Sequence, residues 1–115
     1  KPNKAHLKSV NSYGWVKFDN NKIKKITCKK KASLNPNKDY VIIGSFAFRN
    51  KKIFKNTIKS LFRSKKTVNN EYYIDMVFSH ALENNYKISN LIVKSYISWG
   101  TPRELINWRK KNAKI

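Results

Sequence analysis

The chain has 115 residues, of which 40% are hydrophobic and 13% are aromatic. This length allows at most one domain, and this composition excludes an intrinsically disordered chain. The formal net charge is +20 at pH 7, from 26 basic and 6 acidic residues. No apolar run approaches the roughly 18 residues of a membrane-spanning helix, and no signal-peptide pattern is present, so we expect a cytoplasmic protein.

The positive charge predicts attraction to nucleic acid or anionic surfaces, but it also has a simpler explanation. All but four of the basic residues are Lys, and the chain is rich in Asn and Ile, a composition typical of AT-rich genomes. Arg, which suits bidentate contacts with phosphates and bases, is scarce. A small basic nucleic-acid-binding module is therefore an alternative, and not the first, interpretation. Its base-stacking side chains would be Tyr13, Trp15, Tyr72, Tyr73 and Trp99.

The first half of the chain predicts β-strands. Residues 1–10 show no clear periodicity, and we expect an irregular segment there. Residues 13–18 and 23–29 predict a hairpin around a turn of sequence DNNK. The nearly continuous apolar run over 40–50, YVIIGSFAFRN, predicts a central strand buried on both faces. Cys28 is expected at a half-buried strand position, and as a lone cysteine it excludes an internal disulfide.

The second half predicts three helices and one more strand. Apolar residues recur every four positions over 51–63, and a second amphipathic pattern covers 74–85. The stretch over 87–99 predicts an extended strand. Thr101 as N-cap, with Glu104 closing a capping box, predicts the start of the last helix. The order β-β-β-α-α-β-α indicates an α/β fold, a mixed β-sheet with flanking helices.

Four stretches of the sequence carry a resemblance to a known family. They are SYGWVKFDNNKIKKITCKK, VIIGSFAFRN, NNEYYID and ISWGTPREL, in this order and with sensible spacing. Together they resemble the second half of the sugar-phosphate nucleotidylyltransferases, enzymes that transfer a nucleotidyl group from a nucleoside triphosphate to a sugar 1-phosphate. The resemblance covers about residues 11–108. It implies that residues 1–115 are a single domain or part of one, the C-terminal, sugar-binding half of a Rossmann-like nucleotidyltransferase domain.

The resemblance also implies substrate-binding residues, and three of the matching positions involve glycine or lysine. In that family a glycine after Tyr lets the sugar approach the backbone, and Gly14 matches it. A lysine just after the next strand contacts the sugar phosphate. Lys29, Lys30 and Lys31 all match that position, and the resemblance does not choose among them. The glycine of GSFAF, Gly44, would lie beside the pocket at a second close approach.

Two acidic residues complete the implied set. Glu71 and Asp75 match a stretch at a helix start, and because they are four residues apart they would share one helix face. The alternative is that both simply interact favourably with the helix dipole. The substrate-binding residues are thus Gly14, Lys29, Lys31, Gly44, Glu71 and Asp75.

The metal and the nucleotide belong to parts of the family pattern that this chain lacks. Where many members carry a metal-binding Asp, this sequence has Ser98, and Trp99, Gly100 and Thr101 would then be structural, as a buried indole, a tight turn and a cap. A glycine-rich loop that cradles the triphosphate is missing. We therefore expect Mg²⁺ and the nucleoside triphosphate to be bound through the other half of the parent enzyme. This chain alone should bind sugar 1-phosphate at most and catalyse nothing.

Overall fold

The computed structural model describes residues 1–113, which contain helices and one small antiparallel sheet. Two single 3₁₀ turns, Val10–Ser12 and Pro36–Lys38, accompany them. In chain order the other elements are α1 (Lys4–Lys8), β1 (Trp15–Asp19), β2 (Lys22–Thr27), β3 (Tyr40–Val41), α2 (Lys51–Ser64), α3 (Ile74–Glu83) and α4 (Pro102–Asn112). The strand order is β2-β1-β3, and both pairings are antiparallel. The predicted α/β class is confirmed, while the sheet is antiparallel and not mixed.

The hairpin of β1 and β2 forms as predicted. Its turn residues, Asn20 and Asn21, have φ angles of 46° and 60°. Two consecutive left-handed residues are typical of a type I′ turn, whose twist matches that of the flanking strands, and Asn tolerates this conformation. The register shifts between Lys17 and Phe18, which is the signature of a β-bulge.

The predicted central strand over 40–50 is wrong beyond its first residues. Only Tyr40–Val41 pairs with β1, and one further bond joins the Ile42 amide to the Gly14 carbonyl oxygen at 2.9 Å. The pairing ends there because the chain before Gly14 turns away into the 3₁₀ turn and leaves no partner. The aromatic residues of this run instead pack on α3, where the rings of Phe46 and Phe48 each lie 4.8 Å from that of Phe78.

The core lies where α3 packs against β2 and α2 packs against α3. Helix α2 begins after Asn50, whose side-chain oxygen accepts from the Ile53 amide at 3.0 Å, and ends at Lys65 in the left-handed conformation. Helices α2 and α3 confirm the predictions from their apolar periodicity. The buried apolar side chains are Trp15, Ile26, Cys28, Ala32, Leu61, Met76, Val77 and Ala81.

The predicted irregular start of the chain is helical instead. Asn3 and His6 form a reciprocal capping box at α1, with bonds of 3.0 Å and 3.1 Å between each side chain and the other's amide. A ring nitrogen takes the place of the usual carboxylate, a device that sequence rules for capping do not include. The buried His6 ring packs edge-on against Tyr13 at 4.7 Å.

The segment over 87–98 forms no strand, contrary to the prediction. Within residues 1–113 none of its amides joins a backbone hydrogen bond, and Leu91 is 91% exposed. It crosses one face of the sheet without reaching a strand edge, and a cavity of about 630 Å³ lies between. The radius of gyration, 15.7 Å, accordingly exceeds the roughly 13 Å of a compact domain of this length.

Helix α4 begins with the predicted capping box. Glu104 donates its amide to the Thr101 hydroxyl at 3.2 Å, and its carboxylate accepts from the Thr101 amide at 2.9 Å. The predicted buried indole is wrong, because Trp99 is 55% exposed and packs edge-on against Trp108. Gly100 needs no special turn, since an added Cβ would meet only ordinary contacts. No described helix has both the length and the apolar character needed to cross a bilayer.

Candidate functional site

Gly14, Lys29 and Asp75 lie together where three elements meet. Gly14 precedes β1, Lys29 follows the end of β2 by two residues, and Asp75 is the second residue of α3. Their convergence follows from the fold, because the register of β1 and β2 places Gly14 opposite Cys28, the neighbour of Lys29, and α3 packs across β2. We call this place the Gly14–Lys29–Asp75 recess.

Gly14 is required here by the carboxylate that faces it. A Cβ at this position would lie 2.1 Å from Asp75 Oδ2 and 3.0 Å from Ile42 Cδ1. Both distances are too short for carbon, so any side chain would displace its neighbours. Another group therefore lies close to the Gly14 backbone as expected, but that group is the Asp75 carboxylate and not a ligand.

Lys29 is the member of the lysine run that points into the recess. Its φ of 53° and the bond of the Thr27 hydroxyl to the Lys30 carbonyl make a sharp turn after β2. The Lys29 ammonium donates to the Ser12 carbonyl oxygen at 3.0 Å and lies 5.2 Å from the centre of the Tyr73 ring. Lys30 and Lys31 are exposed, so the predicted residue Lys31 lies outside the recess.

Asp75 is a half-buried carboxylate without a direct cationic partner. It belongs to none of the ion pairs found among residues 1–113. Burial raises its pKa, while the charge of Lys29 and its own backbone amide act in the opposite direction. Its oxygens accept no hydrogen bond from another side chain in the described part of the chain, so they are free to accept from a ligand.

Glu71 reaches the recess only through a neighbour, and the prediction that it shares a helix face with Asp75 is wrong. Asn69 and Asn70 form a left-handed turn that pairs residues 68 and 71 as an isolated bridge, and α3 begins only at Ile74. The Tyr73 hydroxyl donates to the Glu71 carboxylate, and this bond raises the pKa of Tyr73. Glu71 thus orients the ring over which Lys29 lies.

Two other expected roles do not fit the structure. Gly44 has a φ of 84°, and an added Cβ would meet nothing within 4 Å, so its backbone conformation and not a close approach requires glycine. Trp15 is fully buried, and its indole nitrogen donates to the Val10 carbonyl at 2.8 Å. It is therefore unavailable for stacking on a nucleic-acid base.

The residues of the recess do not fit a magnesium ion. Mg²⁺ prefers several oxygen ligands in octahedral geometry. The recess offers one carboxylate, Asp75, and the charged group that acts on it is the Lys29 ammonium, which would repel a cation. Ser98 offers only a hydroxyl, and within residues 1–113 no three His, Cys, Asp or Glu side chains are grouped for a metal. The recess is suited to a ligand with hydroxyl donors and an anionic end.

Two neighbours of the recess are not among the residues that the resemblance implies. Tyr73 supports the Lys29 ammonium, and the sequence signal was its place in NNEYYID, between the two acidic residues. Cys28 is buried beside Lys29, and burial followed by the Asp75 charge raises its pKa to about 11.

Comparison of the chain with models of known families, with curated proteins and with solved structures finds no match.

Proposed function

We propose that this chain is the sugar-phosphate-binding part of a nucleotidyltransferase, the C-terminal half of a Rossmann-like domain. Its recess would bind a sugar 1-phosphate, with Lys29 on the phosphate and Asp75 on the sugar hydroxyls. The observation that carries the proposal is the convergence of Gly14, Lys29 and Asp75. These residues come from three separate stretches of sequence, each of which resembles the same family, and they lie in one recess.

Lys29 suits the phosphate because its ammonium is both fixed and incompletely used. One of its three N–H groups donates to the Ser12 carbonyl, and the Tyr73 ring lies beneath the charge. Two N–H donors remain for anionic oxygens. Charge-assisted hydrogen bonds of this kind are stronger than neutral ones, and little side-chain entropy is lost because the lysine is already held.

Asp75 suits the hydroxyl groups of a sugar because its carboxylate can accept hydrogen bonds and no side chain of residues 1–113 donates one to it. Its partly buried carboxylate gains hydrogen bonds when neutral hydroxyls replace water. Because like charges repel, the phosphate of the ligand would lie at Lys29 and point away from the Asp75 carboxylate. The two groups therefore favour the opposite ends of one polar, anionic molecule.

Exposed apolar surface supports the idea that a second half completes the domain. The face of the sheet beside the large cavity carries side chains of β1, β2 and β3, and residues of the segment over 87–98 line the other side of that cavity. Leu91, Ile92 and Ile97 of that segment are more than half exposed. Contiguous apolar surface of this kind usually marks an interface. In the proposed parent, further strands would pair with the run over 42–49.

Titration with α-glucose 1-phosphate, followed by amide chemical shifts, tests the proposal. We expect weak, saturable binding with shifts at Gly14, Lys29 and Asp75, and little response to glucose alone. Lys29→Gln should weaken binding about tenfold, since a hydrogen bond to a charged group contributes about 1.5–3 kcal/mol. Lys31→Gln, which removes an exposed charge from the same run, is the matched control.

Three results would count against the proposal. They are equal losses in Lys29→Gln and Lys31→Gln, shifts confined to other parts of the chain, and no saturable response to glucose 1-phosphate or mannose 1-phosphate. A shallow dependence of affinity on salt is expected, because a single phosphate makes few ionic contacts.

A further inference from the structure

Helix α2 carries a ridge of four exposed cations at every fourth residue. They are Lys51, Lys55, Lys59 and Arg63, named here the α2 ridge. At a rise of about 1.5 Å per residue, neighbouring members are about 6 Å apart and the ridge is about 18 Å long. Helix α2 contains no acidic residue, and none of the four belongs to an ion pair within residues 1–113. The ridge is therefore an uncompensated line of positive charge.

The opposite face of α2 is already in use. Thr57 and Leu61 are buried, and Ile53, Phe54 and Ile58 are partly buried beside them. A helix that binds a membrane inserts its apolar face between lipids, and this face is packed inside the protein. The ridge can therefore meet only a ligand that lies on the protein surface.

An exposed aromatic pair lies at one end of the same surface. Phe62 is 52% exposed and Tyr72 is 43% exposed, and their ring centres are 4.6 Å apart. At about 100° and 1.5 Å per residue, Phe62 lies beside the last turn of the ridge, about 60° around the helix axis from Lys59. Tyr72, from the segment before α3, holds this ring in place. The protein thus presents aromatic surface to solvent beside its row of cations.

We propose that the α2 ridge binds single-stranded nucleic acid, with phosphates along the cations and a base stacked on the Phe62–Tyr72 pair. Cationic grooves with exposed aromatic rings are the recurrent means of binding single strands, because every base has a face that can stack. The four cations of the ridge can contact up to four phosphates of such a strand. Double-stranded nucleic acid would use the cations alone, since its bases are already stacked.

The charge arrangement of α2 favours such a ligand over plain solvation. Like charges four residues apart repel each other along the helix, and Lys51 and Lys52 lie at the end where the dipole disfavours cations. Phosphates placed along the ridge would relieve both effects. This site shares no residue with the Gly14–Lys29–Asp75 recess, and it stands or falls independently of the proposed sugar-phosphate binding.

Binding of a fluorescent 12-nucleotide oligo-dT over a series of salt concentrations tests the charge component. For single strands, each phosphate contact contributes about −0.7 to the slope of log affinity against log salt. The variant with Gln at all four ridge positions should lose about 2–3 units of slope. The control carries the same number of Lys→Gln changes at exposed positions elsewhere, namely Lys4, Lys8, Lys17 and Lys110. It should keep most of the wild-type slope.

Phe62→Leu tests the aromatic component and preserves most of the apolar volume. Loss of base stacking should lower the affinity for oligo-dT at least about fivefold, while affinity for inorganic polyphosphate stays unchanged. Tyr86→Leu, at an exposed ring outside helix α2, is the matched control. Circular dichroism verifies that every variant keeps its helices.

Several outcomes would overturn the proposal. Equal loss of slope in the ridge variant and its control would mean that net charge alone attracts the oligonucleotide. Equal loss for oligo-dT and polyphosphate in Phe62→Leu would exclude stacking. Tighter binding to duplex DNA, or to vesicles containing phosphatidylserine, with the same dependence on the ridge would assign the surface to a different partner.

Discussion

The carboxylate of Asp75 lies against the backbone of Gly14, and its Oδ2 would be 2.1 Å from any Cβ placed there. Gly14→Ala must therefore displace the Asp75 carboxylate from its place against the backbone before β1. We expect a loss of about 1–3 kcal/mol in the free energy of unfolding, the usual effect of overpacking, together with loss of sugar-phosphate binding. Urea denaturation measures the first and chemical-shift titration the second.

Gly100→Ala is the matched control for that substitution. A Cβ at Gly100 would lie 3.6 Å from Glu104 Oε2, which is an ordinary contact, and its φ is outside the left-handed range. We expect a change within about 0.5 kcal/mol. Similar losses at both glycines would mean that the contact with Asp75 is not what requires glycine at position 14.

Replacement of Asp75 by Asn should change how stability depends on pH. Because burial raises the pKa of Asp75 above 3.8, the folded chain binds this proton more tightly than the unfolded chain does. The wild type therefore loses stability as pH rises from 3.8 through the raised pKa, and the loss stays constant above it. The stability of Asp75→Asn relative to wild type should be greater near pH 7 than near pH 3.

Urea denaturation of both proteins across that pH range provides the measurement. Asp19→Asn, at an exposed carboxylate at the end of β1, is the control for removing one negative charge. A relative stability of Asp75→Asn that is flat, or that falls as pH rises, would contradict a raised pKa.

Trp15 is fully buried and is fixed by its indole nitrogen. Trp15→Phe removes the donor to the Val10 carbonyl oxygen and part of the volume that fills the space beside β1. We expect a loss of about 2–4 kcal/mol in the free energy of unfolding. Trp99→Phe, at an exposed indole, should change it by less than about 0.5 kcal/mol. Comparable losses at the two positions would contradict this account of the core.

Cys28 should be unreactive in the folded protein. Its thiol is buried, and its pKa is raised to about 11 by burial first and by the charge of Asp75 second, against the opposing charge of Lys29. At pH 8 only about one molecule in a thousand would carry the thiolate, which is the reactive form. Labelling by iodoacetamide should therefore follow unfolding and accelerate with urea. Rapid labelling without urea would show that the thiol is accessible.

Helices α2, α3 and α4 were predictable because their signals are local. The apolar period of α2 and α3, the cap at Thr101 and the Asn20–Asn21 turn each depend on residues within a few positions of one another. The apolar runs over 40–50 and 87–99 have the composition of strands, but only Tyr40–Val41 forms one. A strand needs a partner along its edge, and no property of an apolar run states whether that partner exists.

The recess was predictable only in part, for a similar reason. Gly14 and Lys29 flank the paired strands of the hairpin, and Asp75 lies in α3, which packs on β2. The predicted elements therefore bring these three residues together. Glu71 does not lie beside Asp75 on the helix, because the two left-handed asparagines before it form a turn and the helix begins later. Lys31 lies four residues after β2 and Gly44 three residues after β3, so the strand pairing does not determine their positions.

The asparagine turn between β1 and β2 also bears on the order of folding. It links strands whose paired residues are at most 12 positions apart, from Trp15 to Thr27. Closing such a hairpin takes about 1–10 μs, because little chain entropy is lost before the contacts form. Strand β3 contributes only two residues and must bridge a far longer loop. The hairpin should therefore form early and act as the template on which β3 and α3 later assemble.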